Sequence, residues 1–511
     1  MSLQIQPLDL LLLVLYLGGT VWLGVWLGRG QQSTRDYLLG NHSLPWWALL
    51  ISIVATETST ATFLSVPGIA YGNGLPGTTG DLRFLQLPLG YIVGRSIAAY
   101  LLLPLYFQRE MFTAYDVLRV RSGPAVRTLA SGLFLVTRTL ADGLRLYLTA
   151  LVVQVICGWP LPACVLLVGL TTLIYTAVGG MRAVVWTDVI QFFVYVAGAL
   201  AAAVVLSHSL TGATGQGTGL QTVLAQAAAE GRLRLFDFSV DLSNPFTFWA
   251  GVIGGAVLSV GSHGVDQLIV QRYLSARSLA DARKALLISG PLVLLQFALF
   301  LVIGLGLHDY YLQHPPASPF TRSDAVFVDF IVHHLPTGLV GLVLGGTLAA
   351  AMSTLSSSLN ASASALLTDF ILPVTGGSAD DPRALRMARA ATILFAALQI
   401  AVGVSGLGGA NAVVSSVLSV ATVTTGVILG LFLLALSPRR HPAASLLGLV
   451  AGIAATMVVV FGLPLLDIRL AWPWYGVVSC GVTSAVGALA ARLITVGTRD
   501  ERARGDRTGP V

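Results

Sequence analysis

Apolar runs of about 20 residues recur along the whole chain between short polar segments, and a helix of that length crosses the hydrocarbon core of a bilayer. Thirteen can be placed, at 8–28, 45–66, 82–107, 124–155, 160–178, 182–207, 245–270, 281–307, 336–371, 384–405, 410–437, 443–463 and 472–495. The expectation is an all-α membrane protein of about 13 transmembrane helices, with its termini on opposite sides. The first run, Leu8 to Leu27, is too long for a signal-peptide core and has no basic segment before it, so it reads as a retained helix. Two connections are long, 208–244 and 308–335, and fit either lids over a vestibule or solvated connectors; a short helix is expected near Gln221 to Glu230. The charged tail 499–511 is expected to be disordered.

The loops alternate in charge. Arg29 and Arg35, then Arg109, Arg119 and Arg121, then Arg182, then Arg272, Arg277, Arg283 and Lys284 fall on one side. Arg383, Arg386 and Arg389, Arg439 and Arg440, and the tail from Arg492 to Arg507 join them, while the opposite loops hold little beyond Arg232, Arg234, Arg322 and Arg469. Basic residues accumulate on the cytoplasmic side, so the N-terminus is expected outside and the C-terminus inside the cell inner (plasma) membrane. The net charge of +6 thus reports topology, and no basic tract interleaved with aromatics points to nucleic acid.

Composition agrees. The chain is 55% hydrophobic and 10% charged, with a mean hydropathy of +0.80. Soluble chains carry about 25% Asp, Glu, Lys and Arg, so these charges cannot coat a water-facing surface. Cys157, Cys164 and Cys480 lie in or beside apolar runs and read as core residues, not as a disulfide frame or metal site.

Polar residues inside spans are costly and mark function by default. Of the four glutamates only Glu57 lies in a span, within Ala55-Thr56-Glu57-Thr58-Ser59-Thr60-Ala61-Thr62, where six of eight residues are polar. Such a stretch cannot face lipid, and its hydroxyls compete with helical backbone bonding, so a broken helix lining a cavity is expected. Five spans later, Phe246 to Tyr273 carries Ser259-Val260-Gly261-Ser262-His263-Gly264, again small and polar. Two interrupted helices at matching positions of two halves point to a transporter's solute site, the repeats being spans two to six and seven to eleven in inverted topology. Close packing of glycine-rich helices accounts for the second segment but hardly for the first.

Asp188 lies in the sixth span and Ala350 to Ser358, rich in serine, in the ninth. Positions 350, 353, 354 and 357 share one helix face, a column of hydroxyls below a carbonyl, and a dehydrated sodium ion takes such oxygens. Small residues also let helices pack closely, but a buried aspartate and a broken helix favour ion binding. Arg138, Asp142 and Arg145 share one face of the fourth span and Arg95 sits centrally in the third. An internal Arg138–Asp142 pair is one reading; an arginine left free to hold an anionic solute is the other. Asp266 and Arg272 read as a gate pair or an interfacial anchor.

These residues carry a resemblance to the sodium:solute symporters over nearly the whole chain. Asp36-Tyr37-Leu38-Leu39-Gly40 with Ser43-Leu44-Pro45-Trp46-Trp47 resembles that family's entry to the first core helix, and Thr62-Phe63-Leu64 with Pro67-Gly68-Ile69-Ala70-Tyr71 its continuation. Gly179-Gly180-Met181-Arg182-Ala183-Val184 with Thr187-Asp188 and Gln191, Asp266-Gln267 with Gln271-Arg272-Tyr273, and Met352 to Ser362 complete the set. The resemblance implies a leucine-transporter-type 5+5 inverted repeat core: 1–44 a flanking helix and loop, 45–207 repeat 1, 208–244 an extracytoplasmic loop, 245–437 repeat 2, 438–498 two flanking helices and 499–511 a tail. It also implies solute uptake coupled to inward sodium flux, with no other cofactor, no nucleic acid and no obligate protein partner. Carried over by motif, sodium would meet the carbonyls of Ala55, Thr58 and Ala350 and the hydroxyls of Ser353 and Thr354. A second sodium would meet Asp188, Ser353, Ser356 and Ser357. The solute would touch Glu57, Ser59 and Thr62, with Arg138 facing it and Arg95 nearby.

Sugar-carrying members have an asparagine-like residue where Glu57 stands, which argues against a simple hexose carrier. With arginines close by, an organic acid, monocarboxylate or sialic-acid-like, is the expected solute; a sodium-coupled sugar or amino-acid carrier and a proton-coupled symporter of the same fold are the alternatives. An ATP-driven pump is disfavoured, because the single lysine, Lys284, lies in Arg283-Lys284-Ala285 and not in a P-loop. No His-Glu-x-x-His or Gly-x-Ser-x-Gly pattern supports an enzyme.

Overall fold

The computed structural model describes residues 6–214, 219–316, 318–405, 413–438 and 441–505. Among these the secondary structure is helical, with one isolated bridge between Leu44 and Ala276. In chain order the helices of eight or more residues are α1 (Pro7–Leu27), α2 (Trp46–Glu57), α3 (Thr60–Tyr71), α4 (Arg83–Tyr106), α5 (Pro124–Cys157), α6 (Leu161–Thr214), α7 (Gly219–Ala229) and α8 (Ala250–Gly264). There follow α9 (Gln267–Leu274), α10 (Leu279–Gln313), α11 (Ser323–His334), α12 (Leu339–Thr375), α13 (Pro382–Val404), α14 (Val413–Leu436), α15 (Pro442–Leu465) and α16 (Pro473–Gly505).

Eight of these helices are long and apolar enough to cross a membrane, and the bent pairs α2/α3 and α8/α9 raise the number to ten. α6 holds two of the thirteen expected spans. α5, diluted by Arg127, Arg138, Asp142 and Arg145, and α14 supply the others. Large apolar side chains cover the outer surface, Leu15, Trp22, Phe461 and Leu493 each being at least 60% exposed, as a lipid-facing surface requires.

Burial sorts the helices into centre and rim. In α12 83% of the apolar window is buried, against 17% in α1 and 28% in α15 and in α16. α12 is therefore the axis of the bundle, packed along α6, and its small residues allow that approach. α6 breaks at Gly180, whose φ of 54° and ψ of −155° suit glycine alone. A Cβ there would also lie 2.5 Å from the Tyr37 carbonyl oxygen. At the start of α10 the Lys284 ammonium sits 3.8 Å from the centre of the Trp46 ring, at the start of α2.

Two expectations need correction. The tail is not irregular from residue 499: α16 continues to Gly505, and residues 506–511, like Arg439 and Arg440, lie outside the described residues. Arg272 is not a loop charge at the inner surface; it sits on α9 with 1% of its surface exposed, because the break before α9 turns this short helix into the core.

Candidate functional site

The first span breaks where its polar run lies. α2 ends at Glu57, Thr58 and Ser59 adopt extended backbone with ψ of 101° and 166°, and α3 leaves at 62° to α2. The Ser59 hydroxyl caps α3 by accepting from the Thr62 N–H at 3.3 Å. A break leaves carbonyls of the last turn of α2 without helical partners. One of them, on Thr56, accepts from the Thr354 hydroxyl of α12 at 3.0 Å; the same hydroxyl lies 3.2 Å from the Ala350 carbonyl. Ala55, Thr58, Ala350, Ser353 and Thr354 are all buried. The Thr58 hydroxyl is held by the Val54 carbonyl at 2.9 Å and by the Gln296 amide at 2.7 Å. The crossing of α12 at the break thus gathers hydroxyl and carbonyl oxygens of the kind hard cations take.

Asp188, in the second half of α6, adds a charge one layer away. Its Oδ1 accepts from the Ser353 hydroxyl at 2.7 Å. Its Oδ2 accepts from Ser52 and from Nη2 of Arg272, the latter at 3.0 Å. The Arg272 guanidinium also donates to Ser52 at 2.8 Å, to the Leu268 carbonyl at 2.6 Å, and to the hydroxyls of Thr56 and Ser357. Ser356 and Ser357 turn their hydroxyls back onto the Ser353 carbonyl, at 3.1 and 2.7 Å. The cluster Asp188, Ser353, Ser357 thus already contains a cation, an arginine that sequence reasoning assigned to the interface. Its signal was the second break: α9 has eight residues, all buried.

The expected solute residues separate into three places. Glu57 forms an ion pair with Arg95, with His263 Nε2 3.6 Å away, and the fully buried Arg95 also donates to Ser289 at 2.7 Å. Arg138 pairs with Asp266 and reaches Asp142 only at 3.8 Å, since Asp142 is held by Arg145 at 2.6 Å. Asp266, which also caps α9 at Leu268 N–H, does not pair with Arg272. Arg138 and Asp266 line a small cavity of about 20 Å³ together with Tyr115, Thr137, Thr424 and Thr425. Ser59 lines a different, narrow crevice of about 10 Å³, with Thr60, Arg145, Thr149, Ala351 and Thr354. Thr62 joins it only through a 3.2 Å contact between its hydroxyl and that of Ser59. Arg145, two turns further along α5 than Arg138, thus shares the crevice of Ser59, while Arg95 meets the break through Glu57.

Comparison with known proteins agrees with this architecture. The sodium:solute symporter family model matches residues 37–452. The chain belongs to this family. The human sodium/iodide cotransporter is 32% identical over 88% of this chain and 69% of its own length. Sodium-coupled monocarboxylate transporter 1 of Mus musculus is 30% identical over 85% of this chain and 69% of its own. A solved sodium-coupled sialic acid symporter, in a substrate-bound outward-open state with a novel sodium site, superposes with a TM-score of 0.84 at 25% identity, covering 96% of this chain and 98% of that one. The symporter is thus a multi-pass membrane protein with the leucine-transporter-type inverted-repeat core, and its two broken spans are the discontinuous helices of the two repeats. Thr354 gives this symporter a direct link between its two halves. Its hydroxyl touches the broken end of α2 and its side chain lines the crevice of Ser59 and Arg145.

Proposed function

We propose that the protein couples inward sodium flux to uptake of a small organic anion by alternating access, across the inner membrane, with its N-terminus outside and its C-terminus inside. One observation carries this reading: Thr354 stands both on the oxygens of the broken helix and in the crevice that holds Arg145. Sodium is held by the carbonyls of Ala55, Thr58 and Ala350 and by Ser353 and Thr354. A second sodium at Asp188, Ser353, Ser356 and Ser357 shares its aspartate with Arg272. The anion lies along Ser59, Thr60 and Thr149 with its carboxylate toward Arg145, whose planar fork suits two oxygens. Glu57 and Arg95 neutralise each other and shape the wall beside the break.

Iodide, monocarboxylates and sialic acid, the solutes named for the three similar proteins, have negative charge in common, which supports an anion here. Uptake of labelled monocarboxylates, sialic acid, hexoses and amino acids into proteoliposomes, driven by a sodium gradient, a proton gradient or neither, tests the proposal. Sodium-driven uptake of an acid that is lost in Ser353→Ala is the expected result. Uptake driven by protons alone would transfer the coupling role to Glu57 and Asp188.

A further inference from the structure

Outside the transport path, three side chains converge at one end of α10. Glu230, directly after α7, His308 and Asp309 place one ligand atom each within 4.8 Å of one another. His308 is oriented from behind: its Nδ1 lies 3.2 Å from the Tyr71 carbonyl, at the end of α3, and can only donate to it. In its neutral form the ring presents its Nε2 lone pair to Glu230, whose Oε2 is 3.5 Å away, an arrangement that a cation between the two atoms satisfies. Asp309 supplies more negative charge: it is 2% exposed, and its Oδ2 is buried without a hydrogen-bond partner. Arg232 satisfies the cluster only in part. Its Nε and Nη2 donate to the carbonyls of Gly80, Ala70 and Tyr71, each at 2.7 Å, and its Nη1 approaches Glu230 no closer than 3.7 Å, which leaves the Asp309 Oδ2 without a hydrogen-bond partner.

The geometry points to a divalent transition-metal site, of zinc type, formed by Glu230, His308 and Asp309. Imidazole nitrogen and carboxylate oxygen are both zinc donors, and a backbone carbonyl on the far ring nitrogen is one of the partners that orient such a histidine. Ligands at the usual zinc distances stand about 3.4 Å apart around a tetrahedron, close to the His308–Glu230 separation, and water completes the shell. The metal ties α7 and the segment after it to α10, and through His308 to the end of α3, which leads from the broken helix. The site is independent of which solute is carried.

Titration of the purified full chain with zinc chloride, followed by calorimetry, tests the site. One ion per chain is expected, with binding weakened about tenfold or more in His308→Gln and in Asp309→Asn. His333→Gln is the control, because His333 and His334 flank Asp329 on α11 and form the other candidate for zinc. No binding to the unaltered chain, binding unchanged in both site variants, or binding lost in the control overturns the assignment. Should Asp309→Asn fail to fold, Glu230→Gln, at the exposed side of the cluster, takes its place. Hydrogen exchange over 219–230 is expected to slow when zinc is bound; exchange unaltered by bound zinc overturns the tie.

Discussion

Asp188 and Arg272 form the most enclosed ion pair of the transport core, each at most 1% exposed, so water does not screen it. Arg272→Gln keeps part of the volume and a donor but removes the charge, leaving Asp188 without its counter-charge among hydroxyls. Breaking a buried pair from one side costs about 3–5 kcal/mol. Asp188→Asn strands the guanidinium instead and is expected to cost a similar amount. The double variant leaves neither charge unpaired, so its loss is expected to fall short of the summed single losses by about 1–3 kcal/mol, the coupling found for contacting residues. Tryptophan fluorescence during denaturation of the purified protein in sodium-free detergent measures all four members of the cycle. Sodium provides the second arm. Removing Arg272 leaves Asp188 Oδ2 with Ser52 and Oδ1 with Ser353 and vacates the place between Oδ2 and Ser357, so sodium at a hundredfold excess over its Kd should restore about 2.7 kcal/mol to Arg272→Gln. It should restore nothing at this position in the double variant. Strictly additive losses, or an Arg272→Gln protein as stable as its parent without sodium, would refute the account of this pair.

Gly180→Ala places a side chain on a left-handed backbone and against the Tyr37 carbonyl, so a loss of at least about 1–3 kcal/mol is expected in the same denaturation assay. Arg145→Gln should raise the KM for the anion far more than Arg138→Gln does, because only Arg145 shares a crevice with Ser59; equal effects in uptake assays would contradict the assignment. Thr354→Val keeps the shape but not the oxygen, and should shift sodium activation of uptake to higher concentration. Hydrogen bonds from Ser239, followed by the Arg83 ion pair, hold the Asp237 carboxyl in the 208–244 connection below its usual range. A depressed carboxylate stabilises the fold above its unfolded pKa and loses that contribution as pH falls through the folded value. Denaturation midpoints of the parent should therefore fall more steeply than those of Asp237→Asn below about pH 4.

The legible parts of this molecule were those where composition conflicts with lipid. Six polar residues in eight predicted the break at Thr58 and Ser59, and the Ser259 to Gly264 run marked the second broken helix, with the bend itself at Val265 and Asp266. The hydroxyl face of α12 followed from helical spacing, and the burial of Asp188 from its place inside an apolar span. Pairing partners did not. Arg138 and Arg145 share one face, yet seven residues separate them by about 10 Å along the axis, and spacing cannot say which depth the break of α2 reaches. Arg272 was hidden for a related reason. Counting loop arginines assumes that a charge just past an apolar run lies at the surface, and a bend of 55° before α9 removes that assumption. Asp266 caps α9 and pairs with Arg138, a contact across 128 residues of sequence that no local pattern encodes.

The contact between Lys284 and Trp46 has a practical chemical consequence. The side-chain amine of this chain occurs once, exposed, at the foot of the helix that breaks beside the ion oxygens. Apart from the terminal amine, acylating reagents have one place to attach, with an indole as a built-in quencher a few ångströms away. A fluorophore coupled there would report any change in the separation of α2 and α10, turning a natural scarcity of lysine into an optical gauge without any engineered cysteine.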